Sequence, residues 1–399
     1  MRRTLLLTTI ILAACSESEA PPATDTAYQD TLQLALLDAK PGDVITIPAG
    51  THSLDRGLSL TVDGVTIRGE GMDSSVLSFR GQIAGAEGLL ITGDNVVLED
   101  FAVEDAKGDA IKINDTTGVT IRRVRTEWTG EPKTENGAYG LYPVQTENVL
   151  IDGAVAIGAS DAGIYVGQSR NVVVRNSRAE RNVAGIEIEN TLDADVYDNV
   201  ATDNTGGILV FNMPDLSQAG GRVRVFRNEV YENDRKNFGH PGTPVASIPA
   251  GSGVVVNSHD DVEIFDNDIR DNRTANIILT SVYSSNFADS SFSSSFDPYP
   301  DRIHIHSNRL SGGGDRPDGM ELKAAKTIVF GLNGRFPHVL WDGFTDGDRD
   351  HKLCVADVGA EVFNADLPNG SENMRVDNAP HDCTLPRLAE VKLDSSTGQ

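Results

Sequence analysis

The chain has 399 residues, 39% of them hydrophobic and 39 of them glycine, too apolar for a disordered chain and too glycine-rich for a helical one. Acids outnumber bases 59 to 34, for a formal net charge of −25, which repels phosphate backbones and argues against nucleic acid as a partner. The same charge disfavours anionic polysaccharides unless a cation or a local basic patch compensates.

Arg2 and Arg3 precede an apolar run, Leu5 to Leu12, that is too short to span a bilayer. Leu12-Ala13-Ala14-Cys15 then resembles a bacterial lipobox, cleaved before a cysteine that is acylated. Residues 1–15 are therefore expected to be a lipoprotein signal ending in an acylated Cys15. Ser16 stands where an aspartate commonly marks inner-membrane retention, so the periplasmic face of the outer membrane is favoured over the inner membrane. Residues 16–27 are rich in Ser, Glu, Pro, Thr and Ala, as in a flexible tether. Tyr28, Leu32, Ala35, Leu36 and Ala39 recur at helical spacing before Pro41-Gly42. This predicts a capping helix over 28–43.

From 44 to 323 the chain repeats itself. One motif reads N-V-x-I-x-(D/N)-N, as at Asn148-Val149, Asn171-Val172, Asp198-Asn199, Arg227-Asn228 and Asp266-Asn267. A second reads G-I-x-V, at Gly140-Leu141, Gly163-Ile164, Gly185-Ile186, Gly207-Ile208, Gly253-Val254 and Gly319-Met320, with Asn276 replacing the glycine before Ile277. The undisturbed period is about 22–24 residues, and each motif alternates like a short strand. Such a unit buries its apolar face only by stacking on its neighbours. The pattern predicts an all-β, single-stranded parallel β-helix of about ten coils, with asparagines stacked between coils. A β-propeller needs a longer period with hairpins, and a leucine-rich repeat needs leucine dominance. Residues 324–399 lose the repeat and are expected to form a non-repetitive C-terminal cap. Cys354 and Cys383 remain as a pair in an oxidising compartment, so a disulfide is expected.

The segment Lys40-Pro41-Gly42-Asp43-Val44-Ile45-Thr46-Ile47-Pro48-Ala49-Gly50 resembles the opening of right-handed parallel β-helices of the pectin-lyase-like superfamily. The blocks from Glu135 to Val144, Ala156 to Ser169 and Ala184 to Asn190, with the lipobox and the ending His381-Asp382-Cys383-Thr384-Leu385-Pro386, are similar to the parallel β-helix repeat lipoproteins. That resemblance implies a right-handed coil over essentially the whole mature chain. It also implies a genomic neighbour in a haem-containing lipoprotein, and no established chemistry.

Unusually long spacings place insertions near 128–137, 212–221, 233–250 and 282–300 on either side of the G-I-x-V strands. These would wall the outer face of that sheet into a trough. Alternation points Lys112, Tyr142, Tyr165, Glu187 and Leu209 outward, with Asn114, Glu189 and Phe211 two residues on. The expected catalytic groups are Glu187, Glu189, Asp161 and Tyr165, since paired carboxylates and a tyrosine suit acid–base work on sugars. Lys112, Tyr142, Tyr165, Trp128, Tyr139, Phe211 and His240 are the expected substrate-binding residues. The acid and metal motifs of polygalacturonases and pectate lyases, and the Asp-Pro-His-Asp motif of mannuronan epimerases, are not evident. His304 and His306 share a strand face at a spacing compatible with zinc or copper, without an evident third ligand. The stacked Asp/Asn turns are compatible with calcium but are better explained as an asparagine ladder. No metal or cofactor is therefore expected.

Two functions fit these features. One is a lipid-anchored envelope β-helix that binds a polysaccharide and cleaves or epimerises it, as a lyase, epimerase or glycoside hydrolase. The other is a non-catalytic partner of another envelope protein, such as the haem lipoprotein.

Overall fold

A computed structural model describes residues 23–285, 292–346, 352–357 and 359–394. The signal, Cys15 and most of the tether lie outside the described residues. Each coil contributes one strand to each of three sheets. A representative coil is Arg170–Arg175, Arg178–Glu180 and Ala184–Glu189. Among the described residues the sheets hold eleven, ten and twelve strands. Sheet A begins at Val44–Thr46 and carries the asparagine-ended motif. Sheet B begins at Gly50–Ser53 with short strands. Sheet C begins at Arg56–Leu60 and carries G-I-x-V. Pairing is parallel throughout except for the last strand of sheet C, Arg375–Val376.

The repeat works because equivalent residues stack in register. Leu141 pairs with Ile164, Ile164 with Ile186, Ile186 with Ile208, and Ile208 with Val254. All five are fully buried in one continuous core, and this burial is the main stabilising term of such a rod.

Two asparagine ladders hold the corners. Between sheets A and B, Asn199 Nδ2 donates to Asn228 Oδ1, Asn228 to Asn267, and Asn267 to Asn308, at 3.0, 3.0 and 2.9 Å. The residue before each of these four asparagines turns the chain with φ of 54–59°. A second ladder, not foreseen from the sequence, links Asn182, Asn204, Asn233 and Asn272 between sheets B and C. It accounts for the glycine of G-I-x-V. A Cβ at Gly185 would sit 2.8 Å from Asn204 Nδ2, and one at Gly207 2.9 Å from Asn233 Nδ2. Asn276, which replaces the glycine, ends this ladder by accepting from Asn272 Nδ2 at 3.1 Å.

The N-terminal helix, Thr26–Leu37, is capped by the Asp25 carboxylate, which accepts from Tyr28 N at 3.1 Å. Leu32 and Leu36 plug the open end of the core. The helix starts two residues before the expected boundary.

The C-terminal end departs further from expectation. Gly319-Met320 opens no strand; it starts a helix, Met320–Phe330. The next strand of sheet C is Val339–Trp341, paired with the strand containing Ile277. Leu322, Ala325 and Val329 recur at helical spacing and pack on the outer face of sheet C, which explains why helix wins over the local G-I-x-V pattern. The rod continues past 323, through Leu353–Val355 and Val362–Asn364.

The Cys354–Cys383 disulfide forms. Cys354 lies on the last strand of sheet A. From Cys383 the chain turns back along the rod as a tail over sheet A. Leu388 N donates to Glu263 at 3.0 Å, Val391 N to Asp195 at 3.2 Å, and Asn148 Nδ2 to Asp394 at 3.0 Å. The segment from Cys383 to Asp394 is thus a strap along the rod as well as part of its cap.

Candidate active site

Sheet C carries the expected column, Lys112, Tyr142, Tyr165, Glu187 and Leu209, on consecutive coils. Glu189 follows two residues on and pairs with Phe211. The tyrosines form one group. Tyr139 stacks on Tyr142 with ring centroids 4.3 Å apart, and Tyr165 lies 4.8 Å from Tyr139 and 5.0 Å from Tyr142. The Tyr165 hydroxyl donates to Glu189 Oε1 at 2.9 Å. Tyr165 reaches along its strand over Gly167, the residue paired with Glu189.

Electrostatics follow from burial. Glu187 is 1% exposed, and its Oε2 has no hydrogen-bond partner among the described residues. Its carboxyl is pushed well above the usual range, first by burial and then by the negative charges of Asp161 and Glu189. Burial, then Glu189 and Asp109, raise Asp161, while Tyr139 partly offsets this. Burial raises Glu189, opposed by the hydrogen bond from Tyr165. Asp109 is pushed up to about 6, mainly by burial. Burial and nearby carboxylates raise Tyr165, and Tyr142 is pushed up to about 12. The result is a group of carboxyls that hold protons towards neutral pH beside phenols that stay protonated. One carboxyl can lose a proton while another supplies one, as general acid–base chemistry requires.

Lys112 sits at one end, its Nζ 5.2 Å from the Tyr142 ring centroid and 3.9 Å from Glu87. Phe211 lies at the other end, on the wall of a cavity of about 690 Å³ that runs up sheet C past Val255, Ile278 and Leu340. The insertion containing Val245 and Ile248, together with the Met320–Phe330 helix, folds onto this half of the sheet and packs against Leu209 and Phe211. The open trough expected from the sequence is therefore roofed over this half. Tyr165 is only 4% exposed, whereas Tyr139, Tyr142 and Glu189 keep partial access.

Two expected binding residues lie elsewhere. Trp128 belongs to the core, with its indole N–H donating to the Ala106 carbonyl at 2.7 Å. A large aromatic beside a corner is worth more buried than exposed. His240 sits at an exposed turn, where its carbonyl accepts from Thr243, and it joins none of the contacts of the tyrosine–acid group. Asp109, which faces Lys112 and accepts from Tyr139 N at 3.3 Å, was missed. Only its position just before the Ile111 strand could have signalled it.

Comparison with known proteins supports the coil. A family model described as "Right handed beta helix region" matches residues 59–215. No curated protein matches the sequence. Among solved structures, the chain is similar to the A-module of a mannuronan C-5 epimerase from Azotobacter vinelandii, with 20% identity, 84% of this chain and 91% of that chain covered, and a TM-score of 0.57. A second A-module of a mannuronan C-5 epimerase from the same organism shares 16% identity over 84% and 90% of the two chains, with a TM-score of 0.51. A Streptococcus pneumoniae surface protein and adhesin shares 12% identity over 79% and 84%, with a TM-score of 0.50. At these identities the likeness shows the shared right-handed parallel β-helix.

Proposed function

We propose that the outer face of sheet C binds a saccharide and transfers protons on it. One observation carries the reading: three mutually packed tyrosines beside three carboxyls, Asp161 and Glu187 buried and Glu189 partly accessible, whose proton affinity is raised together. Tyr139 and Tyr142, which keep partial access, offer the aromatic face on which a sugar ring stacks. Asp161, Glu187 and Glu189 supply the acid and base. Tyr165, hydrogen-bonded to Glu189, passes a proton between that carboxyl and the sugar. Lys112 offsets negative charge at the open end, and protonated carboxyls reduce the repulsion that the chain's net charge would impose on an acidic sugar. Similarity to two polysaccharide epimerase modules fits this reading at the level of fold.

Proton transfer at a sugar carbon, as in epimerisation or elimination, uses this set more fully than hydrolysis does, because the phenols remain protonated donors. A Cys15-acylated chain would hold the site at the periplasmic face of the outer membrane. The test is incubation of purified protein with a saccharide panel in D₂O, followed by mass spectrometry. Deuterium incorporation or an unsaturated product that disappears with Glu187→Gln supports the reading. Panel-wide absence of both, with saccharide demonstrably bound, excludes the proton-transfer chemistry.

A further inference from the structure

The outer face of sheet A holds a second polar cluster, unrelated to the tyrosine–acid group. Glu263 pairs in register with His304 on the next coil, and His306 follows two residues on along the same strand. All three side chains are buried. The two imidazoles lie 4.3 Å apart between ring centroids, and His306 Nε2 is 2.9 Å from Glu263 Oε1. Neither ring nitrogen of His304 has a hydrogen-bond partner among the described residues. A buried imidazole without a partner is costly, so its persistence calls for a ligand.

One potential donor atom from each of Glu263, His304 and His306 lies within 4.8 Å of the other two. A tetrahedral zinc site with bonds of about 2.0–2.1 Å needs donors roughly 3.4 Å apart, so modest side-chain rotation closes the set. Two imidazoles and one carboxylate suit a borderline divalent ion better than calcium or magnesium, which prefer oxygen. The missing third ligand of the His304–His306 pair is thus supplied by the neighbouring coil.

We propose that Glu263, His304 and His306 bind one divalent cation of the zinc class beneath the C-terminal tail. The tail takes part through Leu388, whose N–H donates to Glu263 Oε2 and leaves Oε1 for the metal. Arg387 Nε approaches Oε1 at 3.7 Å, but its side chain is 62% exposed and can swing to solvent. A water molecule completes the tetrahedron. Metal binding then ties the tail to sheet A in addition to the Cys354–Cys383 bridge.

The purified full-length protein, stripped with chelator, is titrated with Zn²⁺, and with Co²⁺ as a spectroscopic probe. The proposal expects one ion per chain and an intense visible Co²⁺ band of tetrahedral type. Glu263→Gln and His304→Ala should each weaken binding by at least about a hundredfold, the upper scale even for losing a supporting partner. Arg387→Gln, which removes a competing positive charge, should tighten it. Circular dichroism checks that each variant is folded, and Glu263→Gln preserves shape if His304→Ala does not fold. Absence of stoichiometric binding to the wild type, or unchanged affinity in both folded ligand variants, overturns the proposal. The latter would place the ion at another group, such as Asp260, Asp297 and Asp301.

Discussion

Tyr165 reaches Glu189 on the next coil because residue 167, between them, has no side chain. A Cβ at Gly167 would overlap the Tyr165 hydroxyl, and that hydroxyl makes the 2.9 Å hydrogen bond to Glu189. Gly167→Ala should therefore displace the ring and break the bond. The expected cost is about 1–3 kcal/mol, the scale of overpacking a well-filled site, measured by chemical denaturation. Saccharide binding should weaken in the same variant. An unchanged denaturation midpoint would mean that Tyr165 has another rotamer of equal energy.

The raised carboxyls make stability depend on pH in a defined direction. Asp161, Glu187 and Glu189 hold protons more tightly folded than unfolded. In the window where the folded state binds more protons, stability falls as pH rises. That window opens in the ordinary carboxylate range and extends past about 6, where Asp109 also titrates. Glu187→Gln removes one such group. Its stability relative to wild type should therefore improve from low to neutral pH. Parallel stability curves for the two proteins would refute the assignment of a raised pKa to Glu187.

The asparagine ladder should be sensitive to one deletion. Asn228 accepts from Asn199 and donates both to Asn267 and to the Val196 carbonyl. Asn228→Ala leaves these buried partners short of hydrogen bonds, at about 1–3 kcal/mol for each unsatisfied group. The thermal midpoint should fall clearly, and far more than for Asn176→Ala, whose side chain bonds Asp152 at the surface.

Cleavage of the disulfide should release the tail. Cys354 and Cys383 are 29 residues apart, and in the chain-entropy model a loop of that size contributes roughly 3–4 kcal/mol. Cys383→Ser should lower stability on that scale. It should also speed amide exchange at Leu388 and Val391, whose N–H groups donate to Glu263 and Asp195. Unchanged protection at both would show that the tail holds its place without the bridge.

The coil was legible because its repeat is local. Spacing of Val and Ile fixes the strands, and Asn228 and Asn267 mark the sheet A–B corner without further information. The second ladder was less visible, because Asn182, Asn204 and Asn233 lie outside the strand motifs and their effect appears only as pressure on Gly185 and Gly207. The outward column through Tyr142, Tyr165 and Glu187 followed from alternation alone. Its roofing did not, since nothing local says that Val245 and Ile248 fold back onto the sheet. Trp128 illustrates the limit: position near an insertion suggested a binding wall, whereas the indole fills the core. Glu263 could not be joined to His304 until coil register placed them opposite each other across an insertion.

The proposed saccharide site lies at the tyrosine–acid group on the outer face of sheet C. The most direct measurement is a glycan array probed with wild-type protein, Tyr142→Ala and Glu187→Gln at matched foldedness. A saccharide that wild type binds should bind Tyr142→Ala more weakly by about 1 kcal/mol or more, and Glu187→Gln should still bind it. Equal binding of every bound glycan by wild type and Tyr142→Ala would contradict this placement and move the site off this face.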